Sequence, residues 1–245
     1  MKKIRAISLV LLILITITGV SGCMNKNRYN DIDKAIRSQL MQYATEKYGG
    51  EYEEIFYETA ADATQNYVLC LRDSKGRVFN VYEHAKTGKQ TDDYIDSIID
   101  NKMREYLLGY LDINITNSAI GAMAVMNVDV DIDVLENMSL EECMDRFGLY
   151  SLVFVYHIEG EKGSIYDQGE YLVEIYHKLR NLKTDTIDFN VVVTSGDASG
   201  VMDTLQNMRY KYSGNWYSCS GVQEYISAAN PQLDTHEDLK CLVKE

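Results

Sequence analysis

DDYIDSIIDNKMREYLLGYL, Asp92 to Leu111, is the stretch whose reading decides the fold. Tyr94, Ile95, Ile98, Ile99, Met103, Tyr106, Leu107 and Tyr110 recur at three- and four-residue intervals, so a helix here carries an apolar stripe wide enough to cover a sheet face. The sheet it would cover lies upstream. Glu53 to Thr59, Asn66 to Arg72 and Arg77 to His84 read as three strands, separated by turn-rich stretches that include Asp73-Ser74-Lys75-Gly76 and closed by Thr87-Gly88-Lys89. A first helix opens at Asp31. Ile32, Ala35, Ile36, Leu40, Tyr43, Ala44 and Tyr48 give it one apolar face, and Gly49-Gly50 stops it. Residues 31–112 are therefore expected to form a helix, three-stranded meander and helix, with Ile95, Ile98, Ile99 and Leu107 packed on residues 53–84.

A boundary is placed at residues 112–121, where Asp112 to Ser118 lacks a helical stripe, and residues 121–245 read as a second α+β unit. Val128, Val130, Ile132 and Val134 alternate with Asp129, Asp131 and Asp133 as in a half-buried strand. Ser139-Leu140-Glu141-Glu142 is a capping box for a short helix ended by Gly148. Leu149 to Ile158 reads as a strand, Leu172 to Leu179 as a helix, and Ile187 to Val193 as a strand, an order expected to place helices on one face of a sheet. Beyond these, Ser199 caps a helix over 201–208, and Met208 to Tyr212 with Trp216 to Ser220 reads as a hairpin around Ser213-Gly214-Asn215. Asn230-Pro231 ends a further helix, and Thr235 to Asp238 caps a final short one. The fold class expected is α+β.

At the N-terminus, Lys2, Lys3 and Arg5 precede an apolar run, Ile7 to Ile17, that is too short to span a bilayer, and Val20-Ser21-Gly22-Cys23 comes next. This arrangement resembles the lipobox of bacterial lipoproteins. The resemblance implies that residues 1–22 are a signal peptide, that Cys23 carries diacylglycerol and becomes the mature N-terminus, and that residues 23–30 are a tether. At about 0.8 kcal/mol per buried methylene, two or more acyl chains make a lasting anchor. The membrane is then a partner through Cys23, and the body faces outside the cytoplasm. Lys47-Tyr48-Gly49-Gly50-Glu51-Tyr52, Val78-Phe79-Asn80-Val81-Tyr82 and Asp92-Asp93-Tyr94 resemble stretches of uncharacterised small acidic lipoproteins of Gram-positive bacteria. That likeness covers residues 31–111 and implies location and an α+β body, with no activity attached.

From Cys23 onward, 21 basic side chains face 37 acidic ones, a net charge of −16. Such a surface repels phosphates, which argues against nucleic acid and naked anionic lipid as partners. Asp129, Asp131 and Asp133 share one face of the expected strand and are candidate cation ligands, although an EF-hand is excluded because its glycine position is Val134 and its final glutamate position is Leu140. The same acids also serve to keep a sheet face soluble. Ser195-Gly196-Asp197-Ala198-Ser199-Gly200 fails the Walker, dinucleotide and nucleophile-elbow patterns and reads as a turn and helix cap. None of His84, His157, His177 and His236 belongs to HExxH. No motif implies a cofactor.

Cys70 and Cys143 look like core residues, and Cys219 with Cys241 is the one pair considered for a disulfide. Tyr210, Tyr212, Trp216 and Tyr217 gather on the expected hairpin, a candidate recognition surface for a protein or glycan as well as ordinary packing. The leading expectation is a lipid-anchored extracytoplasmic protein with a non-catalytic binding or accessory role. A surface hydrolase acting on wall or peptide material and a structural component of a membrane-associated assembly are the alternatives.

Overall fold

The computed structural model describes residues 26–113, 118–206, 208–212, 214 and 216–244. Cys23 lies outside them. Helix α1 spans Lys26–Tyr48, beginning five residues before Asp31. The described residues up to Gln39 and those from Leu40 onward form separate compact units; the end of α1, both sheets and the remaining helices belong to the second.

The first sheet is an antiparallel meander, β1 (Glu53–Glu58), β2 (Asn66–Arg72), β3 (Val78–His84) and β4 (Gln90–Asp92), in that order. The first three strands are those read from the sequence; β4 adds a short fourth, pairing Asp92 with Val81. At the β2–β3 turn the Asp73 carboxylate accepts from the Lys75 and Arg77 N–H groups, each at 2.9 Å, while Gly76 supplies the positive φ of 80°. At the other end Asp92 gathers the end of α1, accepting from Tyr43 Oη at 2.8 Å, Lys47 Nζ at 2.7 Å and Tyr48 Oη at 2.5 Å.

Helix α2 (Tyr94–Tyr110) adopts the expected stripe, burying Tyr94, Ile98, Ile99, Met103 and Leu107, with Ile95 half-buried. It packs on β3 of the meander and also on β5 (Ser118–Val125), a strand of the second sheet that the sequence pattern does not reveal. The second sheet runs β5, β6 (Ser151–Glu159), β7 (Thr186–Thr194), β8 (Val222–Ala229). Its outer pairs are antiparallel and its central pair parallel, joined by the crossover helices α5 (Ser164–Asp167) and α6 (Gly169–Arg180). The chain is thus α+β.

Strand β6 is buried from Leu152 through Ile158, because helices cover both faces of this sheet and not the one face expected. On one face Phe154 stacks with Phe189, which meets Tyr176 of α6 edge-on. On the other, Val153, Val155 and Val192 pack with Val201 of α7 (Ser199–Gln206), Met208 of α8 (Met208–Lys211) and Trp216. The register sorts these sets, since Phe154 lies opposite Phe189 and His157 opposite Val192. Each fully buried large aliphatic contributes roughly 1.5–3 kcal/mol.

The structure corrects four further expectations. Residues 128–134 are not a strand: Asp131 precedes helix α3 (Ile132–Asn137), whose one buried residue is Leu135, so the alternating valines have no sheet to enter. Residues 222–229 form strand β8 and not a helix. Buried Tyr225 and Ile226 face the core there, and buried Glu224 accepts from the Ile165 N–H at 2.9 Å. The hairpin around residue 214 is replaced by α8 and a 3₁₀ turn, Trp216–Ser218. Cys219 and Cys241 are free thiols, like Cys143. The Ser139 capping box over α4 (Leu140–Phe147) and the Thr235 box over the 3₁₀ turn His236–Cys241 are both present.

Candidate functional site

Opposite its apolar stripe, α2 carries a polar one: Ser97, Asp100, Asn101 and Arg104 stand at i, i+3, i+4 and i+7 and share a face. This face forms one wall of a groove of about 280 Å³. The β2–β3 hairpin contributes Arg72, Arg77, Val78 and Asn80, strand β5 contributes Ala122, and α7 and α8 contribute Leu205, Gln206, Met208 and Arg209. Gly121 lets the last wall close in, since a Cβ there would stand 2.5 Å from Met208 Sδ and 2.8 Å from a Leu205 methyl. Four of the chain's nine arginines therefore line one groove, in a chain whose formal charge is −13. Carboxylates accompany three of them, Arg77 with Asp73 and Glu136, Arg209 with Asp100 and Asp96, and Arg72 with Glu53.

The four guanidinium groups differ in their ties. Arg77 is held rigidly, its Nε donating to Asp73 at 2.6 Å, Nη1 to Glu136 at 2.7 Å and Nη2 to Tyr94 Oη at 2.6 Å. Lys75 and Arg77 hydrogen-bond the Glu136 carboxylate and hold it below its ordinary range. Arg209 makes a two-pronged pair with Asp100, at 2.6 and 2.9 Å, and donates to the Ala124 carbonyl at 2.8 Å. Asp100 in turn accepts from the Ala124 N–H at 2.8 Å, so side chains take both polar groups of that residue on an edge strand. Burial pushes the Asp100 carboxyl up to about 6, against the pull of Arg209. Arg72 reaches Glu53 at 2.8 Å in an exposed pair of little strength. Arg104 donates to Asn101 Oδ1 at 3.0 Å, and among the described residues it pairs with no carboxylate. Fixed guanidinium groups at the back and a less committed one at the rim suit capture of a small anion.

Asn80 donates from its N–H and Nδ2 to Asp93, at 2.6 and 3.0 Å, and Tyr82 Oη donates to the same carboxylate at 2.9 Å. Burial raises the Asp93 carboxyl above its ordinary range.

The residues singled out from sequence lie elsewhere. Trp216 is 2% exposed, its Nε1 donating to Asn190 Oδ1 at 3.4 Å, and Tyr212 Oη donates to Asp188 at 2.5 Å. Both serve the core of the second sheet and present no open recognition face. The side chains of Tyr210 and Tyr217 lie outside the described residues. Asp129, Asp131 and Asp133 fall on an irregular segment, a helix N-cap position and a first helical turn, and no group of three or more metal-ligating side chains converges among the described residues. His157 is buried against the Thr194 hydroxyl at 2.7 Å. Comparisons with protein-family models, with curated proteins and with solved structures give no match.

Proposed function

We propose that this is a lipid-anchored extracytoplasmic binding protein, without catalytic activity, whose arginine-lined groove takes a small anion. The observation that carries the binding half is the concentration of Arg72, Arg77, Arg104 and Arg209 around one concavity of a strongly acidic chain. At about 280 Å³ the groove lies at the small end of ligand sites, which suits a small molecule better than a polymer. The anchor half rests on Val20-Ser21-Gly22-Cys23 behind its basic and apolar segments. No helix among the described residues is long and apolar enough to cross a membrane.

Two measurements test the halves separately. Full-length protein in detergent should bind at least one of phosphate, sulfate and succinate saturably in equilibrium dialysis. Arg104→Glu should weaken that binding at least tenfold, because it removes the guanidinium with no carboxylate partner and adds a repelling charge. Binding that survives the substitution unchanged overturns the groove as the anion site. Cys23→Ala should move the protein out of the membrane fraction; retention there with Cys23 unmodified in the wild type overturns the anchor.

A further inference from the structure

The groove is not charged all round. Ala122 of β5, Leu205 of α7 and Met208 of α8 make one wall largely aliphatic, and Val78 of the hairpin adds to it. Ala122 and Met208 are nearly covered, whereas Leu205 and Val78 are half-buried and keep part of their surface open. Leu205 is also held in place. It packs against the core cluster that contains Val201 and Met208, and one of its methyls rests on Gly121, where a Cβ would stand 2.8 Å away. The groove has room beyond a bare anion. A water takes about 30 Å³ of liquid, so about 280 Å³ is the space of on the order of nine waters, and an inorganic tetrahedral oxyanion fills no more than about half of it. Water left against fixed aliphatic side chains is poorly bound, and an apolar group that displaces it gains affinity.

We infer that the groove takes an organic oxyanion, a carboxylate or phosphate-monoester head with an apolar tail of about four carbons, in preference to an inorganic one. This inference rests on the anion-binding reading of the groove. The head accepts hydrogen bonds from the guanidinium groups, of which exposed Arg104 is the one without a carboxylate among the described residues, and the tail lies against Leu205 and Val78. The two parts of the ligand answer to different residues. The arginines supply charge and orientation, whereas the aliphatic wall supplies only covered apolar area, which grows with tail length until the space is filled. Leu205 therefore sets the preference among tails and leaves the binding of the head alone.

The test is equilibrium dialysis of the full-length protein in detergent at pH 8, with inorganic phosphate and two pairs of probes, methyl and n-butyl phosphate, and acetate and pentanoate. Within each pair the head is the same and only the tail differs. In at least one pair the longer member should bind at least tenfold tighter, about 1.4 kcal/mol. Leu205→Gln should reduce that advantage to less than about threefold and leave the shorter member unchanged, while Arg104→Glu should weaken both members alike. Equal affinities within both pairs, all lost in Arg104→Glu, overturn the tail site and leave the anion-binding reading standing. A tail advantage that persists in full in Leu205→Gln does the same. Binding of the longer members that survives Arg104→Glu unchanged, or no binding of any probe, overturns both. Should Leu205→Gln fail to fold, the comparison within each pair on the wild-type protein and on Arg104→Glu decides the question by itself.

Discussion

Removing Arg209 perturbs the point where the groove and the fold depend on the same side chain. In Arg209→Ala the Asp100 carboxylate loses both of its guanidinium contacts, at 2.6 and 2.9 Å, and the Ala124 carbonyl loses its donor. Both charged side chains are largely buried, 18% and 17% exposed, so breaking the pair leaves an uncompensated charge with a typical cost of about 3–5 kcal/mol. That cost has a ceiling set by pH, because the carboxyl can take up a proton. With Arg209 present its pKa is about 6, above the ordinary carboxylate value. The folded state thus holds the proton more tightly than the unfolded chain, so this group lowers stability as pH rises from about 4 to 6 and contributes a constant penalty above that. Without Arg209 the folded pKa rises further and the falling range extends to higher pH. Urea denaturation monitored by far-UV circular dichroism should therefore show a loss of about 3–5 kcal/mol at pH 8, shrinking by at least about 1 kcal/mol at pH 5. Adding Asp100→Asn to Arg209→Ala should recover part of the loss at pH 8 and little at pH 5. A loss below about 1 kcal/mol at pH 8, or one that is the same at both pH values, would refute the reasoning.

Three further outcomes are expected of the same structure. Ile99→Ala, at a site 1% exposed on the buried stripe of α2, should cost about 2–5 kcal/mol in the same denaturation assay, whereas a change within about 0.5 kcal/mol would mean that the stripe faces solvent. Gly121→Val should cost about 1–3 kcal/mol by forcing Met208 and Leu205 off β5, and an unchanged urea midpoint would contradict the close approach described there. Sulfate, which does not itself titrate in this range, should bind more tightly as pH falls from 7.5 to 5. Protonation of Asp100 through about 6 removes one negative charge from the groove, an effect of the order of 1 kcal/mol or more at an effective dielectric near 20. Dialysis showing weaker sulfate binding at pH 5 would count against that assignment.

The apolar stripe from Tyr94 to Leu107 and the three strands before it are legible in the sequence because each is amphipathic at its own period and bounded by turn residues. Strand β5 is not, because Ser-Ala-Ile-Gly-Ala-Met-Ala-Val has little strand preference; its small residues answer to helices packed close against it, a tertiary demand with no local signature. Strand β8 reads as a helix for a similar reason, since its pairing with β7 and the bond from Ile165 to Glu224 come from distant segments. The alternation from Val128 to Val134 misleads in the other direction: period two describes the letters, but no strand lies alongside to use it. One wall of the groove is within reach of the sequence. Ser97, Asp100, Asn101 and Arg104 form a polar stripe at helical spacing within the very stretch that decides the fold, yet Arg72, Arg77 and Arg209 join it only once the chain has folded. A net charge summed over the whole sequence does not show such a local gathering of arginines.

Anion binding to the full-length protein before and after Arg104→Glu tests the central claim most directly, since Arg104 is exposed and holds no part of the core together. Saturable, one-to-one binding of a small anion is expected, weakening at least tenfold in the variant while the urea midpoint stays unchanged. Saturable binding of equal strength in both proteins, or none in either, would contradict it.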